Sequence, residues 1–226
     1  MRADPTALIS DAVRAAGLNL FGSCGIEAYD RRAPRGLRAP DLMPRARGVV
    51  VVASAGRELW QSLCAELDAD GGERAGWRRE NPLDAYVARA LDRADIALAH
   101  AGIESRRFEP TLDAPVPLDF RALGEIAGLG TMGPFGLLIH PTHGPWWALR
   151  GAWLVDADVA RPQTPAAPCA GCSAPCLGSS RRPEGILLAT PSVRGRCPVG
   201  SKSRYSDEQI AYHYDREATL RRLRGA

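Results

Sequence analysis

Four cysteines in the last third of the chain have the spacing of a metal site. Cys169, Cys172 and Cys176 form a tight triplet, and Cys197 follows in a Cys-Pro pair after a long excursion. Four thiolates are the ligand set of one iron–sulfur cluster or one structural zinc ion. Bacterial ferredoxins also use a distal Cys-Pro, but their usual run carries an additional cysteine. The pattern leaves three interpretations open: a cluster, a zinc site, or reduced cysteines without metal.

A glycine-rich stretch between residues 124 and 136 is the second candidate. Gly128, Gly130 and Gly133 match the dinucleotide-binding fingerprint, which must follow a strand and open a helix. Here a predicted helix precedes the glycines and a predicted strand follows them, so we reject that interpretation. A backbone without side chains can approach a flat ligand closely. A plain connection that needs positive φ would use the same residues.

The third candidate is a tryptophan pair followed by an arginine. Adjacent strand residues point to opposite faces, which predicts that at most one of Trp146 and Trp147 lies in the core. Arg150, four residues after Trp146, would share its face. An aromatic ring beside a guanidinium suits a planar or anionic ligand. A core tryptophan with a snorkelling arginine is the alternative.

The elements that would carry these residues alternate between helices and strands. Helices are predicted over residues 7–16, 82–100 and 117–127, and after a capping box that begins at Ser206. Strands are predicted over 48–53, 137–140 and 150–155, with the last two joined as a hairpin. We therefore predict an α+β fold with antiparallel content. Residues 1–160 are expected to form the core, and residues 161–226 a Cys-rich segment and C-terminal helix packed on it.

Composition excludes several classes of protein. Six cysteines in 226 residues are too few for a disulfide scaffold, and the chain is too long to need one. A net charge of +3 is weak, so nucleic-acid binding is not expected. No stretch reaches the length of a membrane span, and the first residues lack the apolar run of a signal peptide. A reducing, cytoplasmic location is therefore predicted.

Several segments resemble epoxyqueuosine reductases. Residues 15–22 and 44–53 are similar to the opening strands of that family, and residues 127–141 to its glycine-rich corrin-contacting loop. The resemblance implies a corrin bound against Gly128, Gly130, Gly133 and Trp146. It also implies that Asp113 corresponds to the family's proton donor, with one extra intervening residue. The family carries two ferredoxin-like clusters, whereas this chain has cysteines for one.

The C-terminal half resembles the MMACHC (cblC) family, which removes the upper axial ligand of cobalamins. The similarity lies in residues 139–151 and 204–212. It implies that Arg150 corresponds to an arginine that grips glutathione. Arg196 falls on a second such arginine without gaps, and Arg221 near a third, offset by one residue. The family's histidine- and tyrosine-rich segment before the hairpin has no counterpart here.

Both families share a flavin-nitroreductase-like α+β fold, which the resemblance implies for this chain. The expected function is reductive removal of the upper ligand of cobalamin, or use of reduced cobalamin, with Asp113 and Arg150 catalytic. A [4Fe–4S] cluster on the four cysteines would supply electrons, and glutathione or a flavin reductase would be a partner. The alternatives are an epoxyqueuosine-reductase-like enzyme of tRNA modification, and a non-catalytic corrinoid carrier with a structural zinc.

Overall fold

The buried valine run predicted as a strand lies inside a four-stranded antiparallel sheet. The computed structural model describes residues 3–69, 81–110, 118–162, 165–173, 176 and 190–224. Within that part, the strands are β1 (Leu20–Gly25), β2 (Gly48–Ala55), β3 (Ser105–Phe108), β4 (Thr131–Met132), β5 (Leu138–Ile139) and β6 (Trp147–Val155). The large sheet has the order β1-β2-β6-β3, and β4 and β5 form a small antiparallel ribbon. The predicted α+β class is confirmed.

The helices cover both faces of the large sheet. They are α1 (Pro5–Val13), α2 (Ile26–Asp30), α3 (Ala39–Leu42), α4 (Glu58–Ala69), α5 (Pro82–His100), α6 (Phe120–Ile126), α7 (Pro191–Gly195), α8 (Asp207–Tyr214) and α9 (Arg216–Leu223). Short 3₁₀ turns occupy Arg14–Ala16 and Ser201–Ser203. No helix in the described ranges is long and apolar enough to cross a membrane.

Alternation along the central strands divides the core into two layers. Val50 and Trp153 point to the face covered by α1, α4 and α5, where they pack with residues such as Leu91. Val51 and Leu154 point to the opposite face, which α2, α3 and α6 cover. Because both faces are buried, β2 and β6 are apolar without interruption by charged residues over most of their length.

Side-chain caps set the helix starts that the sequence predicted. The Asn81 carboxamide accepts a hydrogen bond from the Asp84 backbone N–H at the start of α5. Ser206 accepts from the Gln209 N–H at the start of α8, as the capping box requires. The Gln209 side chain does not return to the cap, because its amide donates to the Gly56 carbonyl instead.

The predicted hairpin between residues 137–140 and 150–155 is wrong. β5 pairs with β4, whereas β6 lies between β2 and β3 in the large sheet. The intervening turn does close on itself, since His140 and Gly144 exchange two backbone hydrogen bonds of 2.9 and 2.8 Å. β6 pairs with β2 along its length and with β3 over residues 152–155, while β5 pairs with β4.

The C-terminal helices contribute to the core of the sheet. Tyr212 on α8 and Leu220 on α9 pack in the same buried layer as α1, α4 and α5. Tyr212 also lies 5.0 Å, ring centroid to centroid, from Trp60 on α4. The division into residues 1–160 and 161–226 stays a prediction.

Candidate functional site

Three adjoining cavities form one cleft along the first half of β6. The apolar chamber, of about 260 Å³, is lined by Arg121, Leu137, Leu138, Pro145, Trp147, Ala148, Leu149 and Arg194. The throat, of about 150 Å³, is lined by Trp147, Ala148, Arg194, Tyr205, His213 and Tyr214. The cationic chamber, of about 350 Å³, is lined by Asn81, Leu83, Asp84, Arg150, Tyr212, His213, Tyr214 and Arg216. Shared lining residues connect each cavity to the next.

The apolar chamber has rigid walls and a basic rim. The Trp147 indole N–H donates to the Leu138 carbonyl at 3.0 Å, which fixes the ring against the small ribbon. Two guanidiniums, Arg121 on α6 and Arg194 on α7, lie at its border. Among its described lining residues, none carries an imidazole, thiol or thioether that could ligate a metal. The chamber is therefore an apolar recess with two cationic groups and, among its described lining residues, no metal ligand.

Arg194 forms one wall of the throat and is only 8% exposed. Its Nη2 donates to the Pro145 carbonyl at 2.6 Å. The guanidinium lies over the Trp146 and Tyr205 rings, at 4.7 and 5.1 Å from their centroids. Its Nε has no acceptor in the part of the chain that the structure describes. Arg194 is therefore a cation whose guanidinium is fixed in position and whose Nε–H lacks an acceptor in the described residues.

Arg150 lines the cationic chamber because of a β-bulge. Val52 pairs with Gly151 and Ala53 with Leu149, so Arg150 is the extra residue of β6. Its Nε donates to the Ser54 hydroxyl at 3.0 Å. Burial lowers the pKa of its guanidinium, while the nearby Tyr205 hydroxyl and Asp84 carboxylate oppose that shift.

His213 lies at the mouth of the cleft between two arginines. Loss of solvent around the ring lowers its pKa, and the charges of Arg150 and Arg194 lower it further. The ring is 5.5 Å from that of Tyr205, centroid to centroid. At neutral pH this histidine is uncharged, so the positive charge of the cleft comes from the guanidiniums.

A backbone clamp holds the throat against the segment that contains Cys197. A Cβ atom on Gly144 would lie 1.9 Å from the Val199 carbonyl oxygen, and one on Gly200 would lie 2.1 Å from the His143 backbone. Both glycines have positive φ, at +57° and +73°. The His143 ring adds a hydrogen bond of 2.8 Å to Ser203. The turn at residues 140–144 and residues 199–203 therefore pack backbone to backbone.

The four cysteines predicted as metal ligands lie close enough for their thiols to influence one another's ionisation. Cys176 and Cys197 are buried, Cys169 is half-buried, and Cys172 is exposed. Burial raises the pKa of the Cys169 thiol, and the other three thiols raise it further. Cys169 and Cys176 pack against an apolar cluster that includes Ile139. In the described ranges, however, no three His, Cys, Asp or Glu side chains are arranged to hold a single metal ion.

The predicted glycine contacts have a packing role in the structure. The glycine loop follows α6 and leads into β4, which agrees with the rejection of the dinucleotide fingerprint. A Cβ atom on Gly133 would lie 2.6 Å from Ile139, and one on Gly130 2.9 Å from the Ile139 carbonyl oxygen. Gly128 has φ +79°. Corrin contact by these glycines stays a prediction.

The expectation that only one of the two tryptophans is buried is wrong. Trp146 is 1% and Trp147 8% exposed. Trp146 precedes β6 and packs against Tyr205 and Ile210, so a second layer covers it. The guanidiniums that lie over Trp146 belong to Arg194 and Arg204 rather than Arg150, because Trp146 precedes β6 and the bulge in β6 breaks the simple alternation.

The remaining predicted residues lie apart from the cleft or outside the described residues. Asp113 falls in the undescribed range 111–117. Arg196 and Arg221 are exposed, and neither lines the three cavities. Arg194 and Arg216 do line them. The sequence offered Arg216 either as part of a solvated helix face or as a contact to an anionic substrate, whereas Arg194 was missed. The available signal was the Thr190-Pro191 helix start, which places Arg194 one turn before Cys197.

The fold is similar to those of solved B12-trafficking and epoxyqueuosine-reducing proteins. One such structure is a C. elegans B12-trafficking protein CblC, a human MMACHC homologue, with a TM-score of 0.63 and 16% identity over 97% of this chain and 95% of that one. Another is an epoxyqueuosine reductase solved with a tRNA-Tyr stem loop, with a TM-score of 0.57 and 15% identity over 88% of this chain. The reductase from Bacillus subtilis gives 0.56 and 14% over 87%.

These likenesses confirm, at the level of the fold, the resemblance that the sequence motifs carried. The chain spans 66% of the length of the first reductase and 65% of that of the B. subtilis enzyme. No protein-family profile matches the sequence. No curated protein matches it in sequence either.

Proposed function

We propose that this protein binds cobalamin in the cleft along β6 and removes its upper axial ligand. The observation that carries the proposal is the pairing of an apolar chamber, whose described lining residues include no metal-ligating side chain, with a cationic chamber connected to it through the throat. The first would contact part of a corrin ring, and the second would hold a polar co-substrate. A CblC protein with this fold matches the chain over nearly the full length of both, which supports processing of cobalamin over tRNA modification.

The apolar chamber would bind the macrocycle and withhold a lower ligand. Axial ligation sets the potential of a macrocycle-bound metal, so a wall that offers no strong ligand eases reduction. His140 is a nearby imidazole, but its Nδ1 accepts hydrogen bonds from the Thr142 and His143 backbone N–H groups at 3.0 and 3.2 Å. Those bonds hold its ring within its own turn.

The cationic chamber would receive the second reactant. Arg150 and Arg216 line it, and the neutral His213 stands at its mouth. Guanidiniums bind carboxylates through charge-assisted hydrogen bonds, so the chamber suits a thiol peptide such as glutathione. Arg196 and Arg221, which the family resemblance assigned to glutathione, would have to act from the surface.

The four cysteines would hold a redox group beside the cleft. Thiolates on one zinc lie about 2.3 Å from it, so their sulfurs would be within about 4.6 Å of one another. The thiols influence each other's ionisation. Four thiolates also bind a [4Fe–4S] cluster, which would supply single electrons, and the Cys-Pro at Cys197 favours that cluster over zinc.

A cobalamin titration tests the cleft. Cobalamin should bind the anaerobically purified protein saturably and change its visible spectrum. Ala148 lines both the apolar chamber and the throat, so Ala148→Phe should weaken binding at least ~10-fold by filling them. Ala65→Phe, on the exposed face of α4, is the matched control. Absence of saturable binding to the unsubstituted protein would rule out the proposed function.

Metal analysis tests the cysteine site. The proposal expects iron and sulfide in the anaerobic protein, with the broad visible absorption of thiolate-bound clusters. Cys197→Ser should lose most of the iron. Cys64→Ser should keep it, because Cys64 lies on α4, away from the four-cysteine set. One zinc per chain, in place of iron, would refute the electron-supply role.

A further inference from the structure

A run of arginines covers one side of the molecule outside the cleft. Residues 31–47, which link α2 to β2 and include α3, contain six arginines and one aspartate. We call this segment the arginine strip, and all six of its arginines are exposed. On the other face of the sheet, the helices α1, α4 and α5 carry seven acidic residues and two arginines. The weak net charge of the chain therefore hides a strong separation of charge between its two faces.

Half of the arginines in the strip have no carboxylate partner in the described part of the chain. Three of the six are held in the ion pairs Arg32–Glu125, Arg45–Glu104 and Arg47–Asp158. Arg31, Arg35 and Arg38 form no ion pair with the described residues. Neighbouring charges of one sign repel each other, and a partner of the opposite sign removes that cost and speeds its own association.

A small apolar recess opens beside the start of the strip, between residues 29–37 and α6. Its volume is about 20 Å³, and apolar side chains such as Leu37 and Ile126 line it together with the charged Arg32 and Asp119. The Tyr29 hydroxyl donates to the Leu37 carbonyl, which fixes one wall. The recess is so small that only the tip of a side chain would enter it. An apolar centre bordered by charged residues is the usual anatomy of a protein–protein contact.

The chemistry of the strip favours an acidic protein over a nucleic acid or a membrane. Single-stranded nucleic acids stack their bases on exposed aromatic rings. Residues 31–47 contain no aromatic residue, and the neighbouring Tyr29 is only 4% exposed. Membrane surfaces require large apolar side chains exposed beside the charges. In the described ranges such side chains are Ile96, Met132 and Tyr214, and none of them belongs to the strip.

The recess is separated from the apolar chamber of the cleft by a single helix. Ala122 and Leu123 on α6 line the recess, whereas the adjacent Arg121 lines the chamber. A helix with its side chains is about 10–12 Å wide, so a protein docked on the recess would come within about that distance of the chamber. Electron-transfer partners associate through small and weak interfaces, and a recess of this size suits such a contact.

We propose that the arginine strip and the recess form the docking surface for an acidic electron-transfer protein. Carboxylates of the partner pair with Arg31, Arg35 and Arg38, and one of its apolar side chains enters the recess. The reduced partner loses one electron to the redox group bound in the apolar chamber, which gains it, and no bond is made or broken. The redox character of the partner rests on the proposed function, whereas the docking of an acidic protein does not.

An acidic [2Fe–2S] ferredoxin is the probe for the surface, because it is a one-electron donor and its binding requires no cobalamin. Calorimetric titration of the full-length protein at low ionic strength should show saturable binding that weakens steeply as salt is added. The double variant Arg35→Glu/Arg38→Glu should weaken that binding at least ~10-fold, since two attractive charges become repulsive. Absence of saturable binding to the unsubstituted protein overturns the proposal.

The matched control is the double variant Arg93→Glu/Arg222→Glu. It makes the same change in net charge at two exposed arginines on α5 and α9, outside the strip. Ferredoxin affinity should fall less than ~3-fold, because only the overall charge of the protein has changed. Equal losses from the two double variants would show that net charge, rather than the strip, governs binding, and would overturn the assignment.

Leu37→Ala tests the recess. Leu37 lines it, whereas Leu42 is equally half-buried in the same segment and does not, so Leu42→Ala is the control. Leu37→Ala should weaken ferredoxin binding at least ~3-fold through lost apolar contact, and Leu42→Ala should leave it unchanged. Near-ultraviolet circular dichroism verifies that both variants fold. Equal binding by the two variants would remove the recess from the docking surface.

Two other probes identify the kind of occupant. A redox-inert acidic protein of similar size and charge should bind more weakly than ferredoxin, and equal binding would refute the electron-transfer assignment. An RNA of tRNA size that binds more tightly than ferredoxin, and loses affinity in Arg35→Glu/Arg38→Glu, would replace the acidic protein by a nucleic acid and overturn the proposal. Failure of cobalamin to bind while ferredoxin still binds would instead refute the proposed function and leave the docking surface standing.

Discussion

At the scale of single residues, the cleft depends on charged side chains that cost free energy to remove from water. An unpaired buried ion costs several kcal/mol even after the protein relaxes around it. Arg194, which is buried, reduces that cost through the Pro145 carbonyl and two aromatic faces. Arg150 is half-buried and donates to the Ser54 hydroxyl. A bound anion would lower it further, which links ligand binding to stability.

Gly144→Ala tests the backbone clamp at the throat. The substitution adds a Cβ atom that would lie 1.9 Å from the Val199 carbonyl oxygen, at φ +57°. Gly102→Ala is a matched control, because Gly102 has φ +67° and nothing within 4 Å of an added Cβ. We expect Gly102→Ala to cost about 1 kcal/mol of unfolding free energy and Gly144→Ala at least ~2 kcal/mol more. Equal losses in urea unfolding would argue against the clamp.

His140 gives the protein a defined sensitivity to acid. Burial and the neighbouring His143 lower the pKa of its ring to about 4. On acidification the unfolded chain takes up the proton first, near its ordinary pKa of about 6.5. The contribution of the neutral His140 ring to the free energy of unfolding is therefore fully present above pH ~6.5, and it is lost as the pH falls toward 4. The loss should be about 1–2 kcal/mol, because the ring is only half-buried.

A variant at position 140 isolates that contribution. Asn can accept the same Thr142 and His143 N–H groups through its carbonyl oxygen but does not titrate. His140→Asn should therefore lose less stability than the unsubstituted protein between pH 7 and pH 4.5, measured by urea unfolding. Identical pH dependence of the two would exclude His140 as the source.

At the scale of secondary structure, the start of α8 controls residues at the cleft. Ser206 accepts from the Gln209 N–H at 3.1 Å, and α8 ends with Tyr212, His213 and Tyr214 along the cavity walls. Ser206→Ala should lower the unfolding free energy by about 1 kcal/mol through loss of the cap. Ser201→Ala, exposed in a neighbouring turn, should change it by less than about 0.5 kcal/mol. Similar effects from both would show that the cap is not stabilising.

Local chemistry predicted several of these elements well. A proline after a capping asparagine set the start of α5, and a run of β-branched residues defined β2. The pairing of β5 and β6 could not be predicted in the same way. A tight turn between them suggested a hairpin, but strand partners depend on which edges remain free after the whole sheet forms.

At the scale of the whole molecule, the segment that contains Cys197 and the cleft are connected by direct backbone contacts. Cys197 donates its backbone N–H to the Arg194 carbonyl, and residues 199–203 pack on the turn that precedes Trp146. Changes at the four cysteines should therefore reach the throat.

Metal removal should loosen one region selectively. We expect chelation of the anaerobically purified protein to increase amide hydrogen exchange in residues 190–205, with little change in β2 and β6. Tryptophan fluorescence should change with it, since Trp146 packs against Tyr205. Uniform exchange in loaded and chelated protein would mean that the cysteine site does not organise this segment.

The sequence by itself determined the kinds of chemistry present and most of the local structure. Cysteine spacing, glycine content and helix caps depend only on residues close together in the chain, so they can be predicted from the sequence. Only the tertiary structure decided which arginines line the cleft. A one-residue bulge directs the Arg150 side chain toward the cationic chamber. The packing of α7 buries Arg194 and leaves Arg196 exposed. Such choices depend on contacts between segments far apart in the chain, where one position of register changes what a side chain meets.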